Sequence, residues 1–322
     1  MKILYGIQLN GNGHITRSVE LISVLKEKGF DIDIVTSGNN SNLKIPFDVK
    51  DHFSGISIYY NKKGSINWIK TLSSVRLLKL IKDTKYDVSE YDLVISDFEP
   101  ISAWSAKRKK VRSIGISNQY SLLSDNVPVN KKGKIISKLF VKYFAPCSEY
   151  IALNYKKYDE FIYQPFVSKF FLNNKPKDED FYLVYLPSLK LEFILNQINL
   201  YSNIKWKVYT DEVNEVKTIK NTTIKPLDKS SFQKDLLNCS GVVTASGFST
   251  TSEALILNKK LWSIPLEGQY EQISNSIALE EMGVYTKKFN SSTISEWIIS
   301  YNVIKYDWKD PIEDIVKIIT KH

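Results

Sequence analysis

The sequence is poor in the residues from which disulfide frameworks, zinc sites and membrane spans are built. Its 322 residues include two cysteines, Cys147 and Cys239, and three scattered histidines, His14, His52 and His322. The cysteines are far apart and match no ligand or redox spacing, so neither a disulfide scaffold nor a metal site is expected. That usage suits a reducing cytoplasm. No apolar run approaches the roughly 20 residues of a membrane-spanning helix. The amino terminus has one lysine and a short apolar stretch without a small-residue cleavage site, and reads as a first strand rather than a signal peptide. Internal repeats and low-complexity tracts are missing. So are helix-turn-helix, RRM, KH and zinc-finger patterns, which argues against a nucleic-acid partner.

Basic residues are abundant. Lysine and arginine number 44 against 35 acidic residues, for a net charge of +9. Such an excess suits an anionic partner, whether a phosphorylated small molecule, an anionic membrane surface or nucleic acid, although a lysine-rich composition alone gives the same figure. The length suits two domains of roughly 150 residues.

Strand-like and helix-like segments alternate along the chain. "KILYGIQL" reads as a buried strand, and Ile15, Val19, Ile22 and Leu25 recur at helical spacing until Gly29. Strands follow at "DIDIVTS", "DLVISD", "RSIGISN" and "EYIALNY". The stretch 161–180, with two prolines, two asparagines and a charged cluster, reads as an interdomain linker. Beyond it the alternation resumes with "FYLVYLP", "KWKVYTD" and "GVVTAS". Repeated βαβ units imply two doubly wound parallel sheets, an α/β class whose ligands bind outside the carboxyl ends of the strands.

Two loops at such strand ends carry chemistry. The first, "GNGHITRS" at residues 11–18, is not a dinucleotide fingerprint: Thr16 stands where the third glycine belongs, and the second strand ends without an acid. Gly11 and Gly13 still permit a tight turn that brings backbone close to a ligand. His14 falls at a helix start, where the positive end of the dipole disfavours imidazolium and leaves a neutral ring able to take a proton. Capping its own helix is the plainer role for such a histidine. Arg17, one turn on, could meet an anionic group or simply face solvent.

The second, "ASGFSTTSE" at residues 245–253, offers Ser246, Gly247, Phe248, Ser249 and Thr250 at a helix start expected near Thr250. Free amides and hydroxyls there suit a phosphate or diphosphate. Glu253 could close a capping box with Thr250. It could equally join Glu271, Gln272 and Asn275, from the polar loop expected after "LWSIPL", in accepting ligand hydroxyls.

The segment 245–284 resembles the donor signature of GT-B glycosyltransferases, the fold of the UDP-glucuronosyl- and plant UDP-glycosyltransferases. It also resembles the bacterial enzyme that adds N-acetylglucosamine to lipid I. "GNGH" resembles the first loop of the same families, and the likeness runs from the start of the chain to about residue 285. It is closest in type to small bacterial and archaeal members. The resemblance implies two Rossmann-like domains facing across a cleft: an acceptor domain over 1–163, a nucleotide-sugar domain over 164–308, and a closing helix over 309–322 that returns to the first. It implies that Ser246, Gly247, Phe248, Ser249 and Thr250, with the turn at Gly11 and Gly13, approach the donor. Glu253 would hold the ribose, Glu271 and Gln272 the sugar, and Asn275 would support their loop. Ala245 replaces the phosphate-contacting histidine of the plant and animal enzymes, Phe248 their tryptophan, and "NKKLW" the usual G-x-P turn, with Asn258 taking the left-handed position.

The activity so implied is hexosyl transfer from a nucleotide sugar, a UDP-sugar first, to a hydroxyl acceptor. No metal motif is evident and no further cofactor is expected. The two-glutamate E-x7-E pattern of retaining enzymes is absent, since Leu261 stands eight residues after Glu253, and inversion is the better reading. His14 would be the base, paired as in the plant enzymes with an aspartate; Asp97 at the end of "DLVISD" is the candidate and Glu99 the fallback. A sugar-nucleotide 2-epimerase of the same fold is the alternative enzyme, and a basic nucleic-acid-binding protein on this scaffold the non-enzymatic one. Finally, "VNKKGKIISKLFVKYFAP" reads as a basic amphipathic helix whose apolar stripe suits either the core or an anionic bilayer. With "AKRKKVR" it points to a lipid-linked or anionic acceptor, cell-envelope glycan synthesis and peripheral attachment to the inner face of a membrane.

Overall fold

The computed structural model describes residues 1–39, 43–56, 77–177 and 179–321. They divide into two compact units, one running to Ser168 and taking in the segment from Lys309 onward, the other Lys169–Trp308. The division falls within the stretch 161–180. That stretch is not irregular throughout, since it carries a short strand and a short helix.

The first unit is built on β1 (Lys2–Gln8), β2 (Asp31–Ser37), β3 (Asp51–Phe53), β4 (Leu93–Asp97), β5 (Ser113–Ser117), β6 (Glu149–Leu153) and β7 (Ile162–Tyr163). They form one sheet in the order β3-β2-β1-β4-β5-β6-β7, every pair parallel. Its helices are α1 (Asn12–Glu27), α2 (Leu77–Asp83), α3 (Pro100–Lys109) and α4 (Lys134–Phe144). Every residue of β4 and β5 is buried, as in central strands covered on both faces. The strand order reverses between β1 and β4, and the loops leaving their carboxyl ends face one another there.

Helix α3 seats very close to β1. A methyl group on Gly6 would overlap Ser102 Oγ and lie 2.8 Å from Glu99 Oε2. Gly6→Ala is therefore expected to lower stability by about 1–3 kcal/mol through overpacking. A shift of the urea midpoint would show it, and an unchanged midpoint would mean that α3 relaxes freely.

The amphipathic helix α4 does not bury its stripe. Only Val141 and Phe144 are buried, whereas Ile135 and Ile136 are 75% and 74% exposed, and Leu139, Phe140 and Tyr143 are exposed as well.

The second unit contains β8 (Tyr182–Tyr185), β9 (Trp206–Thr210), β10 (Lys217–Ile219), β11 (Thr222–Pro226), β12 (Gly241–Ala245) and β13 (Lys260–Ile264), in the order β10-β11-β9-β8-β12-β13. All neighbours are parallel except the β10–β11 hairpin. Helices α5 (Lys169–Asn173), α6 (Leu191–Ile198), α7 (Lys229–Asn238), α8 (Phe248–Ile256), α9 (Tyr270–Glu280) and α10 (Ser291–Ser300) belong to this unit. Trp206, Trp262 and Trp297 are fully buried in one cluster with Val184, Val243 and Ile294. Here the order reverses between β8 and β12, so the loop that opens α8 lies at the switch point.

The last helix, α11 (Ile312–Thr320), is part of the first unit. Arg112 donates to the carbonyls of Ile318 and Ile319 at 3.2 Å and of Lys321 at 2.6 Å. His322 lies outside the described residues.

Candidate active site

The loop after β1 ends at Gly11, which caps α1 with φ +99° and no side-chain cap. His14 therefore sits in the first turn of α1, at the carboxyl edge of the sheet, 7% exposed. Its Nδ1 lies 2.8 Å from Oδ1 of Asp97, the fully buried last residue of β4. The two residues thus meet at the switch point, one from the start of α1 and the other from the end of β4. Arg17 Nη2 also lies 3.1 Å from His14 Nδ1, but the carboxylate is nearer and can only accept, which assigns the hydrogen to Nδ1 and the lone pair to Nε2.

The turn that follows separates the two acidic candidates. Phe98 adopts φ +53°, a conformation rare for a bulky residue and one that must be held by its surroundings. It stacks on Phe144 with ring centres 4.8 Å apart and meets Tyr120 edge-on. This kink directs Asp97 toward α1 and Glu99 onto α3. Glu99 is the N-cap of α3, its carboxylate accepting from Ile101 N at 2.8 Å and Ser102 N at 2.6 Å. Glu99 is thereby committed to capping α3 and faces away from Asp97, the partner of His14. Burial raises the Glu99 pKa above the usual carboxylate range.

Arg17 is not a solvated charge. It is 6% exposed and grips Asp97 with both sides of its fork, Nε to Oδ2 at 3.1 Å and Nη2 to Oδ1. Ser117 Oγ and Asn118 Oδ1, at the carboxyl end of β5, accept from the same guanidinium at 3.2 and 3.3 Å. Ser18 Oγ donates to Asp97 Oδ2 at 2.9 Å. Burial pushes the Asp97 pKa up, but the nearby Arg17 and His14 outweigh it, and the carboxyl titrates below its ordinary value. Ser18, Ser117 and Asn118 escaped the sequence reading. Asn118 alone left a signal there, as a polar residue ending a buried strand at the same edge as "GNGH".

In the second unit, α8 starts at Phe248 with Gly247 as its N-cap, two residues earlier than the sequence suggested. Thr250 lies inside the first turn and Glu253 well within the helix, so the Thr250–Glu253 capping box does not form. No side chain caps this end and its first turn has no acidic residue, so the amides of Phe248, Ser249 and Thr250 form an anion-attracting terminus. Ser249 and Thr250 are half-buried, and Phe248 is buried. Ser246 is fully buried with its hydroxyl 2.7 Å from that of Ser263, which leaves this side chain bracing the loop from beneath. Asn275 Nδ2 donates to the Ser246 carbonyl at 3.0 Å, so it supports the Ser246 loop rather than its own.

Glu271, Gln272 and Asn275 belong to α9 and not to a loop. Gln272 Oε1 accepts from Leu266 N at 3.1 Å, so its amide nitrogen is the group left for a ligand hydroxyl. Glu271 lies in the first turn of α9 and Glu253 is 8% exposed in α8. Asn258 takes the left-handed position with φ +50°. Among the described residues no group of three or more His, Cys, Asp or Glu side chains could hold a metal ion, and no helix is long and apolar enough to cross a membrane.

Two Rossmann-like units in one chain, each with a polar loop at its switch point, make up the GT-B fold. The chain belongs to glycosyl transferase family 1, whose model matches residues 1–301. It is similar to the glycosyltransferase SnogD from Streptomyces nogalater, at 12% identity and a TM-score of 0.62 over 99% of both chains. Arabidopsis thaliana UGT89C1, solved with UDP, matches at 13% identity and a TM-score of 0.58, over 98% of this chain and 93% of that one. A putative UDP-N-acetylglucosamine 2-epimerase from Listeria monocytogenes matches at 10% identity and a TM-score of 0.61, over 99% and 95%. No curated protein matches the chain significantly in sequence. The protein is a glycosyltransferase.

Proposed function

We propose that the protein transfers a hexosyl group from a UDP-sugar to a hydroxyl acceptor with inversion at the anomeric carbon, the first unit binding the acceptor and the second the donor. The observation that carries this reading is the hydrogen bond from His14 to the buried Asp97 at the switch point. His14 Nε2 takes the proton of the acceptor hydroxyl as the acceptor oxygen bonds to the anomeric carbon. The bond from that carbon to the diphosphate breaks, and its electron pair leaves with the nucleotide. Asp97 orients the ring and stabilises the charge it acquires. The amides at the start of α8 take up charge on the departing diphosphate, as helix termini do without a metal. Glu253 accepts the ribose hydroxyls, and Gln272 and Glu271 hold the sugar. The exposed apolar face of α4, ringed by lysines, supports peripheral attachment to an anionic membrane and hence a lipid-linked acceptor, as in cell-envelope glycan synthesis.

Measuring donor affinity and stability together in Glu253→Ala separates ligand binding from the structural part played by this buried residue. Binding of UDP-sugar is expected to weaken by roughly 1–3 kcal/mol, the scale of lost charge-assisted hydrogen bonds. Calorimetric titration of the variant alongside its thermal midpoint tests this; unchanged affinity would remove Glu253 from the ribose. The epimerase neighbour supports the fold alone. Incubating the protein with UDP-N-acetylglucosamine and no acceptor distinguishes the two chemistries, because only an epimerase would convert the sugar.

A further inference from the structure

The first unit carries a second polar feature, at the opposite edge of its sheet from His14. A surface pocket of about 660 Å³ opens beside the amino ends of β5 and β6. That volume lies within the roughly 300–1,000 Å³ of small-molecule sites. Its lining is mainly apolar, with Ala106, Val111, Pro146 and Tyr150 beside the smaller polar Ser113 and Ser148, and it includes the exposed Lys107, Lys110 and Lys142, which form its rim. These three lysines are exposed and, among the described residues, none has a carboxylate within ion-pair distance. The neighbouring Lys109 and Arg112 are paired instead, with Asp87 and Glu149.

Two observations identify the occupant. The carboxyl ends of α3 and α4 both converge on the pocket, and their partial negative charge disfavours a small anion seated deep inside. An anion must therefore stay at the lysine rim while something apolar covers the apolar lining. The pocket is also continuous with the exposed stripe of α4, since Tyr143 lines the one and belongs to the other. Trp104 donates its indole hydrogen to the Tyr143 carbonyl at 3.2 Å, and Lys107 lies 4.9 Å from the Trp104 ring centre. Tryptophan, tyrosine and lysine side by side are the residues that settle at the headgroup level of a bilayer.

We infer that this pocket is a binding site for an anionic phospholipid, with an acyl chain on the apolar lining and the headgroup phosphate among Lys107, Lys110 and Lys142. The inference rests on the membrane attachment proposed above and deepens it. The lipid is an anchor and not a substrate, because the strands separate it from the edge where His14 lies. Lys110 fits this use: it caps α3 at φ +58°, where glycine would be more stable, and it places a cation on the rim.

Co-sedimentation with vesicles of equal parts phosphatidylglycerol and phosphatidylcholine, against phosphatidylcholine alone, tests the site on the full chain. Lys107→Gln/Lys110→Gln is expected to lower partitioning onto the anionic vesicles by about thirtyfold, the effect of two lysines near such a surface. The control, Lys131→Gln/Lys132→Gln, removes the same charge at the other end of α4 and should cost several-fold less. Equal losses in the two variants would overturn the pocket while leaving membrane attachment intact. Failure of the unaltered protein to sediment with anionic vesicles would overturn attachment itself, and the pocket with it. Displacement from vesicles by inorganic phosphate, beyond that by chloride at equal ionic strength, would reassign the rim to a free anion.

Discussion

Replacing His14 with alanine is expected to slow sugar transfer at least about a hundredfold, the usual scale of a positioned base. Donor affinity should change little, because the residues proposed to hold the nucleotide belong to the second unit. The expectation follows from geometry: Nδ1 is held by a buried carboxylate, and Nε2 is the only ring atom left to accept a proton. Asp97→Asn should cost less turnover than His14→Ala, since an amide oxygen at the same place still accepts from Nδ1. Single-turnover transfer, with donor binding measured in parallel, separates these effects. Near-normal transfer by the His14 variant would place the base elsewhere and reduce the "GNGH" loop to a scaffold.

Arg17→Met should have the largest effect on stability, about 3–5 kcal/mol, because it leaves the buried Asp97 carboxylate without its cation, held only by the His14 and Ser18 hydrogen bonds. The double variant Arg17→Met/Asp97→Asn should recover much of that loss by removing both charges. A pH series gives an independent check. In the unaltered protein the Asp97 pKa is depressed in the folded state. It therefore adds stability that is present above the ordinary carboxylate range and is lost as pH falls through the folded value. In Arg17→Met burial acts without the guanidinium, so protonation relieves the penalty, and the gap between the two proteins should narrow on acidification. Chemical denaturation at several pH values measures this directly. A gap of constant size would show that Arg17 contributes by packing its stem rather than by balancing Asp97.

The sequence by itself determined the class of fold and the two loops that matter. Alternating apolar strands and amphipathic helices leave little choice but parallel sheets covered on both faces, and ligand loops in such sheets follow strand ends. "GNGH" and "SDFEP" could therefore be assigned to one edge before any contact was known. Local signals failed where a long-range neighbour made the decision. A serine or threonine followed three residues later by glutamate suggested a capping box at Thr250, but the folded helix α8 begins at Phe248 with Gly247 as its N-cap, which puts Thr250 inside the first turn. Nothing near Arg17 in sequence reveals that its partner is Asp97, 80 residues away. The choice between Asp97 and Glu99 depended on one left-handed residue, Phe98, held by aromatic rings from α4 and from the turn after β5. The periodicity of α4 likewise gave its stripe but not what covers it, because burial belongs to the neighbours of a helix. Strand order and the packing of distant side chains decided each of these, since a buried charge or an exposed apolar face is defined only by what the folded chain brings beside it.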